Sequence, residues 1–199
     1  MPVLAVKDEA RGGAGEMDPR EISFRKLRSS DLALMHRWMN APHVIRWWYA
    51  EGSSYREIED HYLPAIEGRD ATKVCLILHG DEPIGFVQSY RITAEDDAQY
   101  ASLVDVDDSA GVDLFIGEPD YLHRGLGSHI IRRFLSEHVF SDPEIEVCVI
   151  GPEPKNTAAI RAYEKAGFRY FKTIQVPGEP EPEYLMKLTR REFEGSGLG

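Results

Sequence analysis

Residues 111–128 read GVDLFIGEPDYLHRGLGS, and the chain is best understood outward from them. Val112–Ile116 is apolar except for one acidic residue, Asp113, and has the composition of a buried strand. A short glycine-rich turn follows, His123-Arg124-Gly125-Leu126-Gly127-Ser128, and opens into a helix expected over Ser128–His138. A helix N-terminus carries backbone N–H groups without partners and the positive end of the macrodipole, so it attracts phosphate. Glycine lets the backbone come close to an anion because no Cβ stands in the way. The segment reads as a pyrophosphate cradle with a carboxylate beside it or, more plainly, as a tight turn.

Immediately upstream the chain is acidic. From Glu95 to Asp113 there are seven carboxylates (Glu95, Asp96, Asp97, Asp105, Asp107, Asp108, Asp113) and no Lys, Arg or His. A tract of this kind is either a solvated loop or a field that gathers a polycationic substrate. Because it leads straight into the strand carrying Asp113, the second reading is preferred. The net charge of −11 argues against a nucleic-acid partner, whose binders usually present a basic stripe.

The remaining pattern describes a mixed sheet with helices against it. Ile22–Leu27 alternates like a strand. Ser30 or Asp31 can cap a helix carrying Leu32, Met35 and Met39, which should stop near Pro42. Ser54-x-x-Glu57 is a capping box for a second helix that should break or kink at Pro64. Lys73–His79 and Ile84–Ile92 form a hairpin around Gly80–Pro83, and the acidic tract is expected as a loop. Glu146–Ile150 is a strand, Asn156 caps a helix Thr157–Ala166 ended by Gly167, and Phe168–Val176 and Tyr184–Leu188 complete the sheet. A length of 199 residues fits one α/β domain over 21–193, with flexible tails at 1–20 and 194–199.

No apolar run approaches the roughly 18 residues of a membrane span, and the start of the chain lacks a signal-peptide pattern. Cys75 and Cys148 each sit in an apolar run, which makes a disulfide framework improbable and a cytoplasmic setting the default. The seven histidines show no metal-ligand spacing, and no nucleotide P-loop pattern occurs, so no metal site is assigned. On the Asn156–Gly167 helix, Ala159, Ile160, Tyr163 and Gly167 share one stripe. Tyr163 is there either a core aromatic or a phenol placed to give a proton.

HRGLGS at 123–128 together with NTAAIRAYEKAGF at 156–168 resembles the acetyl-CoA-binding core of the GCN5-related N-acetyltransferase (GNAT) superfamily. SSDLALMHRWMN, HVIRWW, HYLPAI, EPIGFVQSY and GVD, in that order, extend the similarity to aminoglycoside 6′-N-acetyltransferases over about Ile22–Phe193. Siderophore-biosynthetic lysine acyltransferases share the style of this front half, and a silent coenzyme A-binding module is a third reading.

The resemblance implies a mostly antiparallel central sheet, splayed at the cofactor site, with flanking helices. It implies that Leu114, Phe115 and Ile116 run beside the pantetheine arm. The amides of His123, Arg124, Gly125, Leu126, Gly127 and Ser128 would hold the pyrophosphate, and Arg124 would add positive charge. Asn156 and Tyr163 would face the far end of acetyl-CoA, Tyr163 near the thioester sulfur, and Ala159 would also contact it. Tyr163 would protonate the leaving thiolate, and Asp113 would accept a proton from the attacking amine or anchor it. Trp47, Trp48, Tyr62, Gln88, Tyr90 and Asp113 would line the slot for a small cationic amine, in a monomer or homodimer that binds neither nucleic acid nor membrane. Two positions depart from the pattern. Leu122 stands where many members carry Gln or Arg. Gly151 stands where aminoglycoside enzymes carry Asp, with Glu153 two residues on.

Overall fold

A computed structural model describes residues 17–48 and 52–196. In chain order the elements are β1 (Ile22–Lys26), α1 (Leu32–Met39), α2 (Pro42–Ile45), α3 (Tyr55–Ile66), β2 (Lys73–His79), β3 (Glu82–Arg91) and α4 (Ala94–Val104). Then come β4 (Ser109–Ile116), α5 (Gly127–Phe134), β5 (Val147–Ile150), α6 (Thr157–Ala166), β6 (Arg169–Ile174), β7 (Glu183–Thr189) and α7 (Arg190–Gly195). The strands form one seven-stranded sheet in the order β1-β2-β3-β4-β5-β7-β6. Every neighbouring pair is antiparallel except β4 and β5.

That parallel pair is short. Ser109, Ala110 and Gly111 face Val147, Cys148 and Val149, and the pairing then ends. β5 stops at Ile150 because Gly151-Pro152 follows, and the Pro152 carbonyl accepts from Tyr184 N at 2.9 Å instead. β4 runs on to Ile116 with β3 as its partner, so the sheet opens a wedge beyond Gly111. The mostly antiparallel, splayed sheet expected from the resemblance is thus the architecture found.

Side-chain alternation sorts the two faces of the sheet. On one face Phe86 and Phe115 pack under Leu32, Met35 and Trp38 of α1 and Ile58 and Tyr62 of α3. Further along it, Val149 and Leu185 pack under Val104 of α4. On the opposite face Val87, Val112 and Cys148 meet Ile130, Ile131 and Phe134 of α5 and Tyr163 and Ala166 of α6. The helices therefore cover both faces and leave the wedge between α1–α3 and α4 as an opening toward β4.

Three expectations need correction. The tract after Thr93 is a helix, α4, not a loop: Tyr100, Leu103 and Val104 recur at helical spacing and pack on the sheet, while Glu95, Asp97 and Asp105 stay exposed. Pro64 does not end α3, which continues to Ile66; burial of Ile58 and Tyr62 outweighs one missing backbone bond near the C-terminal end. The first helix does stop near Pro42, which then begins the short helix α2 in its first turn, where a missing N–H costs nothing. The last described element is a helix outside the expected pattern: Thr189 and Glu192 form a capping box for α7, so residues 194 and 195, assigned to a tail, are helical. Residues 1–16 of the proposed N-terminal tail lie outside the described residues. Among the described residues, no helix is long and apolar enough to cross a membrane.

Gly85 shows how tightly β3 and β4 approach, since a Cβ there would run into the Phe115 carbonyl oxygen. Gly85→Ala should lower the urea midpoint by an amount equal to about 1–3 kcal/mol with the slope unchanged. Gly195→Ala, in open space on α7, should leave the midpoint unchanged or raise it.

Candidate active site

The β3–β4 register builds the center of the site. Gln88 stands opposite Asp113, and Tyr90 stands opposite Gly111. Gln88 Nε2 donates to Asp113 Oδ2 at 2.9 Å, and the Tyr90 hydroxyl bonds the same carboxyl. Tyr90 reaches it because its ring crosses Gly111, where a Cβ would lie 2.5 Å from the ring. Burial pushes the Asp113 carboxyl above the usual carboxylate range, and the bonds from Gln88 and Tyr90 oppose that rise only in part. Burial, and then the charge of Asp113, hold the Tyr90 phenol far above its ordinary value, so it stays a donor.

The turn leading to α5 carries two left-handed residues, His123 (φ 60°) and Gly125 (φ 79°). They turn the chain so that amides gather at the start of α5, ahead of the bond from Ile130 N to Leu126 O. Nothing lies within 4 Å of a Cβ built on Gly125. Gly127 has a different use: its Cβ would touch Ala162 at 3.2 Å, so it lets α5 and α6 pack closely. Leu126 is buried in the core and offers only its backbone. Arg124 is exposed, with Nε donating to the Asp120 carbonyl at 3.1 Å, and Ser128 lies in the first turn of α5.

Along the open edge of β4, the Phe115 ring is core, 4.9 Å from the Trp48 ring, while Leu114 and Ile116 pack toward the other face. The backbone of 114–116, rather than its side chains, is what the wedge presents. Asn156 caps α6 by accepting from Ala159 N at 3.2 Å, so its oxygen is committed to the helix. An open strand edge and a cluster of helix-start amides fit a ligand with an amide-bearing arm and a pyrophosphate.

Tyr163 faces the core, 8% exposed and 6.2 Å from the Phe168 ring. Burial raises its phenol well above the ordinary range and the Asp113 charge raises it further, which places the two groups within electrostatic reach. In the front half, Trp48 packs against Phe86 and Phe115, whereas Trp47 is half-buried with the Arg46 guanidinium 4.6 Å from its ring center. Tyr62 does not reach the slot expected for it. It is 2% exposed and packs on Phe86 at 5.2 Å, because position 62 lies on the buried stripe of α3. Neither thiol is a nucleophile. Both are buried, and burial raises Cys75 to about 11 and Cys148 further still.

Two residues of this cleft were missed. Tyr100 of α4 donates its hydroxyl to Glu183 Oε2 at 3.0 Å, and the Glu183 carboxylate, not Glu153, fills the space beside Gly151. The helical spacing of Tyr100 with Leu103 and Val104 was the available signal for the first. Nothing in the sequence ties Glu183 to Asp113.

The profile of the Acetyltransferase (GNAT) domain family matches residues 28–176. The aminoglycoside N(6′)-acetyltransferase type 1 of Klebsiella pneumoniae is 31% identical over 175 residues, 87% of this chain and 85% of that protein. A lysine N-acyltransferase of Mycobacterium tuberculosis is 22% identical over 165 residues, 83% of this chain and 76% of that protein. The solved structure of aminoglycoside acetyltransferase AAC(6′)-Ib with coenzyme A and kanamycin superposes with a TM-score of 0.77 at 30% identity, covering 88% of this chain and 98% of that one. With the splayed sheet and the helix-start turn in place, these matches, which include AAC(6′)-Ib solved with coenzyme A and with acetyl-CoA, make the chain an enzyme of the GNAT acetyltransferase family.

Proposed function

We propose that this enzyme acetylates a primary amine of a polycationic small molecule, the 6′ amine of an aminoglycoside, by direct transfer through a tetrahedral intermediate. The observation that carries this reading is the half-buried Asp113 carboxyl, held by Gln88 and Tyr90 at the mouth of the β4–β5 wedge. The names of the relatives that match over most of the chain support it, as does the acid around the cleft.

Acetyl-CoA supplies the acetyl group as a thioester, so the amine nitrogen gains a bond to carbon as the carbon–sulfur bond breaks. Asp113 orients the incoming amine and takes its proton. A carboxylate beside an ammonium favours the charged amine, which works against attack. Its raised proton affinity works the other way, because a carboxyl held up by burial is the stronger base. Gln88 and Tyr90 fix which oxygen faces the amine. Backbone N–H groups of β4 past Gly111 stabilise negative charge on the reacting oxygen. Tyr163, kept protonated by burial, gives its proton to the departing sulfur. Trp47 offers an apolar face to a sugar ring, and the amides at 123–128 hold the pyrophosphate.

Thiol release should be seen with aminoglycosides bearing a 6′ amine and not with matched compounds bearing a 6′ hydroxyl; equal turnover of both, or of neither, removes the 6′ assignment. Tyr163→Phe should lower kcat by about 10²–10⁴-fold with the KM for acetyl-CoA unchanged. Full activity would mean another group protonates the sulfur. Asp113→Asn should lower kcat and raise the KM for the amine. Activity of the wild type should fall as pH drops through the raised Asp113 pKa, because only the ionised carboxyl accepts a proton, and the variant should lack this acid limb.

A further inference from the structure

The carboxylate of Glu183 stands where a side chain at position 151 would go. A Cβ on Gly151 would run into Glu183 Oε2 and lie 3.0 Å from Leu185 Cδ2. Gly151 follows β5 on the face to which Val149 points, and Glu183 opens β7 on the face of Leu185, so both look toward α4. From the helix side, the Tyr100 hydroxyl donates to Glu183 Oε2 at 3.0 Å. Tyr100 is itself set by a break in α4. Asp97 leaves helical geometry (φ −150°, ψ 91°) and its carboxylate accepts from Tyr100 N at 2.8 Å, which restarts the helix with Tyr100 in its first turn. Asp97, Tyr100, Gly151 and Glu183 together hold one carboxylate in one place.

The geometry points to Glu183 as a second anionic contact for the acceptor, paired with an ammonium group other than the one Asp113 meets. This rests on the acceptor being the multiply charged amine proposed above. Asp113 lies close enough to Glu183 for its charge to oppose ionisation of that carboxyl, and the two carboxylates together keep the Tyr90 and Tyr100 phenols protonated as donors. Burial first, then the charges of Asp113 and Glu179, lift Glu183 to about 7 against the opposing bond from Tyr100. A cation placed between two such carboxyls relieves both and ionises them. Tyr100 fills one of the roughly four acceptor sites of a carboxylate, which leaves capacity for an ammonium donor. A tie serving only to fasten α4 to β7 would change the melting temperature and leave substrate affinities alone.

Steady-state kinetics with kanamycin and acetyl-CoA test the assignment. In Glu183→Gln, which can still accept the Tyr100 bond, the KM for kanamycin should rise about tenfold or more, with the KM for acetyl-CoA and the melting temperature unchanged. Gly151→Asp in a Glu183→Ala background regrows a carboxylate from the other side of the same space and should recover most of the lost affinity. The groups facing Glu183 are Tyr100 from α4, with Asp97 behind it, Asp113 from β4, Tyr90 from β3 and Glu179 from the preceding loop; Ile174, its β6 partner, does not titrate. The wild-type KM for kanamycin should fall as pH rises through about 7, and that inflection should be missing in Glu183→Gln while the others' persist. Wild-type enzyme that fails to acetylate kanamycin overturns the acceptor assignment. Wild-type activity with an unshifted kanamycin KM in Glu183→Gln, or equal rises in both KM values, overturns this inference alone.

Discussion

Everything at the site follows from the early end of one strand pairing. β4 and β5 share three residue pairs and then part, because Gly151-Pro152 stops β5 while β4 still has β3 to bond to. An exposed strand edge in a folded protein has unpaired N–H and C=O groups that water, another chain or a ligand must satisfy. The chain that leaves this strand runs on into the start of α5, whose first amides have no side-chain cap and no partner within the helix. Asp113 sits two residues past the last pair, at the point of divergence. A strand that stayed paired to Ile116 would bury that carboxyl against a neighbour and close the entry.

The parts of this arrangement written in local chemistry were legible from the sequence. The Ser54–Glu57 capping box, the Asn156 cap and the Gly167 stop all lie where the residue types demand them. Asp113 announced itself as a charge in an apolar strand. Features decided by tertiary contact were not legible. The acidic tract looks like a loop because most of its surface is water-facing, and only three residues in it, Tyr100, Leu103 and Val104, report the helix. Tyr62 looks like a sugar-facing phenol until α3 is laid on the sheet, when its stripe turns inward.

Gly127 illustrates a second kind of illegibility, a packing role that the local sequence does not announce. Glycine at a helix start invites an account in terms of ligand approach, and here a Cβ would also crowd Ala162 of α6 at 3.2 Å. Gly125 and His123 do the turning, and His123 does so with a side chain attached. Left-handed backbone at a non-glycine residue carries a conformational cost, which the surrounding fold must outweigh. The shape of the turn is thus imposed by α5–α6 packing and the buried Leu126 below it.

In the proposed reaction, the tension between a carboxylate that binds an ammonium and one that must deprotonate it would be relieved by a division of charge across the cleft. One acid alone cannot be both a strong anchor and an effective base, since the attraction that anchors the ammonium also raises its pKa. Asp113 has two donors, Gln88 and Tyr90, that lower its proton affinity, and burial that raises it further than they lower it. Glu183 stands across the wedge with one donor and a proton affinity near neutrality. If Glu183 carries part of the attraction for a polycation, Asp113 need not bind tightly to be occupied, and its raised proton affinity can serve proton transfer. That division requires room for a glutamate to reach across from β7, and Gly151 supplies the room by having no side chain.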